Sequence, residues 1–394
     1  MVLEGGCGYI TTPEQFGAIG DGKANDSKAI QQAVASCANY ASCQVLFSKT
    51  YLSSSIDVGS SGVTLNITGN LFMLPKKDYK STSSFVTCSA PVRNVRITGE
   101  GTIGIHNLEN AIEWWACKIT GCSRPYLVVM SGVVGVRIDG GLHFLNSPNH
   151  NICFRSCTGV RVDNIYIKAP LYSPNTDGIN FYGGKDQSLT NSVIENGDDC
   201  VSVVPIGEWT PLCVNSPNPN MEGCRGGNVV VRNVMCRGGH GISIGGVRHG
   251  TVSNVTFSNM TATGGLGNTQ GLYSSGGLRV KSYPNSTGSV YDILYEDIVL
   301  DGVYMPLQLL AHYCPWPCKT PDGKHAAAFH GITFRNVQGT GRQSTQGAFE
   351  CSPFSPCSNI TLDNVHLGTS SGTYTCSNAT LVFDGSSNSP SACT

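Results

Sequence analysis

Two aspartates, Asp198 and Asp199, stand side by side in the segment IENGDDCVSV, which otherwise reads as a buried strand. Adjacent carboxylates in such a place must be solvated, paired or protonated. A third, Asp177 in SPNTDGIN, precedes them by 21 and 22 residues. Further on come His240 in RGGHGISIGG and the pair Arg279 and Lys281 in GGLRVKSY. Arg279 and Lys281 are two apart, so on a strand they point the same way. Singly, each of these residues fits a surface ion-pair ladder, which is common and worth little. Together they suit glycoside hydrolysis. One carboxylic acid protonates the leaving oxygen, and another carboxylate activates water on the opposite face of the sugar. Crowding raises the pKa of one member, so a trio supplies both protonation states. An Arg–Lys pair beside it would hold an anionic group on the substrate, which points to a polyuronide. Strand neighbours face opposite sides, so for both Asp198 and Asp199 to serve one site the backbone must bend, and Gly197 permits that.

The elements that must gather these residues are short. β-branched runs recur, among them VRITGEGTI, VRIDGGLHF, VVVRNVMC, ILYEDIVL and ITLDNVHL, each followed by a turn. The turns fall near Gly99, Gly140, Asn164, Asn191, Asn233, Asn254, Asp297, Asn336 and Asn364, and their intervals, from 21 to 43 residues, cluster near one or two multiples of the low twenties. That is the pattern of a solenoid with loop insertions, whose coils stack and bury Val, Ile and Leu along one axis. Asn and Asp tolerate the left-handed geometry of such turns. The expected fold is all-β: a single-domain parallel β-helix over residues 1–394, with an N-terminal extension to about residue 15 and a C-terminal tail from about residue 370. A β-sandwich is the competing reading of many short strands. One helix is expected, in NDSKAIQQAVASCA, with Asp26 or Ser27 as N-cap and Ala29, Ile30, Ala33, Val34 and Cys37 at helical spacing. It would cap the open end of the solenoid.

Composition narrows the setting. The formal charge is −1, from 25 Lys+Arg against 26 Asp+Glu, so no global field attracts nucleic acid or an anionic membrane. No long apolar segment marks a transmembrane span, and any signal peptide would have been removed or replaced. Eighteen cysteines, several close in sequence (Cys37 and Cys43, Cys117 and Cys122, Cys314 and Cys318, Cys351 and Cys357), read as disulfides rather than a zinc site. Sequons at Asn25, Asn66, Asn254, Asn259, Asn285, Asn359 and Asn378 add to the expectation of a secreted glycoprotein. Nothing suggests an oligomer.

The motifs NTD, GDD, GHG and RVK, in that order, resemble the signature of the polygalacturonases, pectin-degrading glycoside hydrolases. FGAIGDG at residues 16–22, the helix after it and GTI at residues 101–103 are similar to that family's N-terminal half, so the likeness runs from about Phe16 to about Leu367. The resemblance implies a right-handed parallel β-helix and inverting hydrolysis of polygalacturonate without metal or other cofactor. It implies Asp198 as general acid, Asp177 and Asp199 as holders of the attacking water, and His240 as the residue that tunes the acid. Asn175, Arg279 and Lys281 would bind the sugar. Tyr313, in LQLLAHY, is the candidate for a sugar-site tyrosine, although Leu310 and Ala311 stand where the family often has a polar residue; a packed aromatic is the other reading. The resemblance also favours a Cys200–Cys236 bridge. Between Asp199 and His240 lies a loop-like insertion at residues 205–227, in which Cys213 and Cys224 would form a staple. A loop that walls one end of a groove would favour cutting at chain ends, and an open groove internal cutting; the reading leans to the former. The alternatives are hydrolysis of xylogalacturonan or rhamnogalacturonan, a calcium-dependent lyase, and a non-catalytic pectin-binding β-helix.

Overall fold

The computed structural model describes residues 8–206, 224–264, 276–314, 325–370 and 372–385. The chain winds as an all-β, right-handed parallel β-helix, the hand that parallel crossovers take when right-twisted strands pack back on themselves. It divides into two compact units. The first comprises Met1–Ile152 and Cys157–Lys168, the second Cys153–Ser156 and Ala169–Thr394.

In the first unit, Cys43–Phe47, Val63–Ile67, Arg93–Thr98, Val134–Ile138 and Thr158–Asp163 pair in parallel, one per coil. Their register stacks Val45, Leu65, Ile97, Ile138 and Val162 into one fully buried column. A second column, Tyr51, Leu71, Ile103, Phe144 and Ile167, rises beside it. Each side chain thus sits on its counterpart one coil away, which is how a chain with little helix buries a core.

Helix α1, Ser27–Ser36, lies where its spacing predicts, with Ala29, Ile30, Ala33 and Val34 buried; Cys37 follows in a 3-10 turn and bridges to Cys43. Asp26 occupies the N-cap position without capping through its side chain. Its carboxylate instead accepts from the Ile19 and Gly20 backbone N–H groups, tying the preceding loop to the helix start. The sequence reading did not anticipate α2, Leu108–Trp115, which buries Ala111, Trp114 and Trp115 and is capped by Asn107 through Glu109 N–H. Tyr9–Thr11, within the expected extension, pairs with Cys43–Phe47, and Thr373–Ser377 and Ala379–Asp384, within the expected tail, pair with Thr345–Glu350 and Cys357–Gly368.

In the second unit the turn positions behave as read: Asn191, Asn233, Asn254, Asp297, Asn336 and Asn364 all have φ between 50° and 56°. They form two columns rather than one. Asn233 Nδ2 donates to Asn191 Oδ1, Asn259 to Asn233, Asn336 to Asp297 and Asn364 to Asn336. Asn254 belongs to another turn column, where it donates to Asn228. The true step after Asn233 is therefore to Asn259, 26 residues on, and the intervals of 21 and 43 residues on either side of Asn254 came from crossing between columns. Inside, Phe257, Tyr295 and Phe334 stack with ring centroids 4.9 and 5.2 Å apart.

Candidate active site

Five parallel strands of the second unit carry the site: Ile179–Tyr182, Val201–Val204, the first residues of Ile242–Thr263 and of Leu278–Val303, and Leu307–Leu310. Their register aligns Ile179, Val201, Ile242, Leu278 and Leu307 in one buried column, and Phe181, Val203, Ile244, Val280 and Leu309 in another. The residue between them alternates to the other face, giving the ladder Asn180, Ser202, Ser243, Arg279 and Gln308. Period-two patterning thus decides which side chains can meet a substrate.

The aspartates sit at the entry to this sheet, in turns rather than in the strand itself. Lys185–Asn196 ends before the pair and Val201–Val204 begins after it. Glycine at 197 is required by space rather than by its backbone angle: a Cβ there would lie 2.1 Å from the Ser173 carbonyl oxygen. Asn196 holds the neighbouring turns together, donating from Nδ2 to the carbonyls of Thr176 (2.8 Å) and Asp199 (2.9 Å). Gly178 N–H also donates to Asp199 O, so Asp177 and Asp199 start adjacent coils in the same register. The Cys200–Cys236 bridge forms as expected, linking the turn of the pair to the strand that leads to His240.

The side chains converge. His240 Nδ1 lies 2.8 Å from Asp198 Oδ1, and Asp198 Oδ2 accepts from Asn175 Nδ2 at 3.3 Å. Asp199 Oδ2 accepts from Lys281 Nζ at 2.6 Å and Oδ1 from Ser243 Oγ at 2.8 Å, with Arg279 NH1 3.9 Å from Oδ1. Asp177, Asp199, Arg279 and Lys281 are all buried. Arg279 NH1 donates to the His240 carbonyl, while its buried Nε has no protein partner among the described residues. An unpaired buried donor is costly, and here it belongs to the cation expected to hold an anionic ligand. Arg279 and Lys281 both lie over the Tyr313 ring, 5.5 and 5.3 Å from its centroid. Tyr313 therefore packs against the site cations rather than elsewhere in the fold. The ligand atoms of Asp198, Asp199 and His240 lie within 4.8 Å of one another, but a metal ion there would have to displace the Lys281 ammonium from Asp199.

The electrostatics separate the carboxylates. Burial, and then the charges of Asp198 and Asp199, push the Asp177 carboxyl well above the usual range, against the opposing pull of Lys281 and an Asn180 hydrogen bond. Burial also acts to raise Asp198, but the charge and hydrogen bond of His240, with Lys281 and the Asp199 N–H, outweigh it and hold Asp198 well below that range. Asp177 is thus a strengthened base.

The sequence reading missed Ser243 and Asn180. The alternation in GISIG places Ser243 on the ladder face, but its contact with Asp199, 44 residues away, depends on coil register.

Residues 37–393 match the profile of Glycosyl hydrolases family 28. The chain belongs to glycosyl hydrolase family 28. It is 26% identical over 374 residues to a polygalacturonase of Chamaecyparis obtusa, covering 91% of this chain and 67% of that protein. It is 28% identical over 383 residues to an exopolygalacturonase of Zea mays, covering 93% and 86%. Among solved structures, the polygalacturonase of Erwinia carotovora superposes with a TM-score of 0.74 at 22% identity, covering 97% of this chain and 99% of that one. That likeness is one of fold, and it places this family 28 chain among the parallel β-helices.

Other expected features divide. Cys117–Cys122 and Cys351–Cys357 are bridged. Cys224 and Cys314 are also in disulfides; Cys213, Cys318 and residues 207–223 of the expected loop lie outside the described residues. Among the sequons, Asn254, Asn259 and Asn378 use Nδ2 in hydrogen bonds of the fold. Asn25, Asn285 and Asn359 are exposed, and Asn66 is half-buried in a strand. No helix among the described residues is long and apolar enough to cross a membrane.

Proposed function

We propose that this family 28 chain is a secreted, monomeric polygalacturonase that hydrolyses α-1,4-galacturonosidic bonds of pectic polygalacturonate with inversion of configuration, acting from chain ends. The observation that carries this reading is three clustered carboxylates, two of them, Asp177 and Asp198, shifted in opposite directions, beside a buried Arg–Lys pair whose guanidinium has an unpaired donor among the described residues. Arg279 and Lys281 receive the uronate carboxylate, Asn175 and Tyr313 help seat the ring, and Asp177 with Asp199 holds the attacking water. Asp177, its pKa raised, takes the water proton. Asp198 gives its proton to the leaving oxygen. A bound sugar displaces water, which favours the neutral Asp198 carboxyl, and His240 lies 2.8 Å from it, within reach for proton exchange. End-cutting is supported by the maize relative's name and by the loop-like sequence of residues 205–227. Exposed sequons and numerous disulfides support secretion.

The test is release of reducing ends from purified polygalacturonate. Wild type should release galacturonate monomer from the start, with the product anomer inverted by proton NMR. Asp198→Asn should lose about 10²–10⁴-fold in kcat while its thermal unfolding barely moves. Early mixed oligomers would replace end-cutting by internal cutting. Unsaturated, ultraviolet-absorbing products would overturn the hydrolase assignment, and a fully active folded Asp198→Asn variant would overturn Asp198 as the acid.

A further inference from the structure

The strand Lys185–Asn196 ends on a polar residue that faces inward. Ile194 is fully buried, and period-two alternation puts Asn196 on the same inner side, where it too has no exposed surface. A buried amide costs free energy unless its groups are bonded. The Asn196 Nδ2 is bonded twice, to the carbonyls of Thr176 at 2.8 Å and Asp199 at 2.9 Å. Its Oδ1 has no partner among the described residues. The amide thus leaves an acceptor buried without a donor, in the orientation that commits both of its N–H groups to those two carbonyls.

Both carbonyls belong to turns that carry the site. Thr176 directly precedes Asp177, and Asp199 is itself one of the carboxylates. The Asp199 carbonyl also accepts from Gly178 N–H, so the two turns are tied on either side of Asp177. The turn of His240 joins them: His240 N–H donates to the Asp198 carbonyl, and a Cβ on Gly239 would lie 2.7 Å from Asn196 Oδ1. Among the described residues Asn196 bonds to no carboxylate, so it acts on the site through the backbone.

We propose that Asn196 is a positioning residue of the hydrolysis, an amide clamp that sets the separation of the Asp177 and Asp199 carboxylates around the attacking water. The inference rests on the polygalacturonase reading and on the roles that reading gives to those two residues. Without the clamp, the Gly178 N–H bond and the bond from Gly197 N–H to Thr176 Oγ1 still join the turns, so the coils stay stacked while the spacing relaxes. A misplacement of about 1 Å at a reacting group costs about 100-fold in rate. Asp177 is faced by Asp198, Asp199, Lys281 and the Cys153 thiol, and burial with the two aspartates raises its carboxyl. Spreading the turns weakens both causes, so the carboxyl falls back toward the ordinary range.

The experiment measures kcat, KM and the pH profile on purified polygalacturonate for wild type, Asn196→Ala and Asn196→Asp, with thermal unfolding alongside. Asn196→Ala should lose about 100-fold in kcat with KM within about twofold, because Arg279 and Lys281 lie on a strand that the amide does not touch. The acid limb of its kcat/KM profile should move to lower pH. Asn196→Asp keeps the shape of the side chain but has no donor when ionised and one when protonated. Its kcat relative to wild type should therefore rise as pH falls. A folded Asn196→Ala enzyme with kcat within about fivefold of wild type, or with the full loss but an unmoved acid limb, would overturn the proposal. So would a ratio of Asn196→Asp to wild type that does not change with pH. If Asn196→Ala does not fold, the Asn196→Asp ratio decides; failure of both to fold would make the amide a folding residue and overturn the positioning role. A wild-type protein without activity on any galacturonan would instead overturn the functional reading, and this inference with it.

Discussion

Replacing Lys281 by methionine removes the ammonium that Asp199 Oδ2 accepts at 2.6 Å while keeping most of the apolar stem. Both partners are buried. Breaking such a pair by deleting one partner costs about 3–5 kcal/mol, because the other charge is left uncompensated. Among the described residues, Asp199 would retain only the Ser243 hydroxyl at 2.8 Å and the more distant Arg279 guanidinium at 3.9 Å. The cost has a ceiling, since the variant can always fold with the stranded carboxylate protonated. Against an ordinary aspartate pKa of about 3.9, that escape costs about 4 kcal/mol at pH 7 and about 1.5 kcal/mol at pH 5. Lys281→Met should therefore be destabilised by about 3–4 kcal/mol at pH 7 and by less than half of that at pH 5. Adding Asp199→Asn to Lys281→Met removes the stranded charge and should recover most of the loss. The assay is urea unfolding at both pH values, followed by fluorescence and circular dichroism together to verify a single transition. Equal unfolding midpoints for the single and double variants at pH 7 would refute the reasoning, since the pair would then carry no coupling energy.

Two further predictions concern Asp177. Its carboxyl is raised in the folded state by burial and by its neighbours Asp198 and Asp199. A raised acid binds more protons folded than unfolded, so its penalty is absent below the unfolded pKa and grows as pH rises through the folded one. Asp177→Asn should accordingly be more stable than wild type at pH 7, with the advantage vanishing near pH 3, while hydrolysis is lost; thermal unfolding across pH measures this, and a pH-independent difference would contradict it. Asn180 hydrogen-bonds Asp177 and lowers its pKa, so Asn180→Ala should move the acid limb of the kcat/KM profile to higher pH. A limb that stays put would remove Asp177 from the role of base.

Much of this protein was written in local chemistry. Asn and Asp at the turns, β-branched residues between them, and the apolar face of Ser27–Ser36 announce a solenoid with a helix at its start, because turn geometry and side-chain period act over a few residues. The four motifs likewise pick out, one by one, side chains that the fold brings together. What was not legible is whatever depends on register between coils. Asn254 and Asn259 look alike in sequence, yet only Asn259 continues the column from Asn233. Helix Leu108–Trp115 escaped the reading because its tryptophans are buried by packing rather than marked by a long periodic run. The contacts of Ser243 and Lys281 with Asp199, 44 and 82 residues away, follow from coil lengths. Those lengths fix which residues stack. The sequence by itself determined the kind of fold and the chemical groups; the tertiary structure decided which carboxylate is the strengthened base and which is paired with an imidazole, because burial and mutual charge exist only once the coils are stacked.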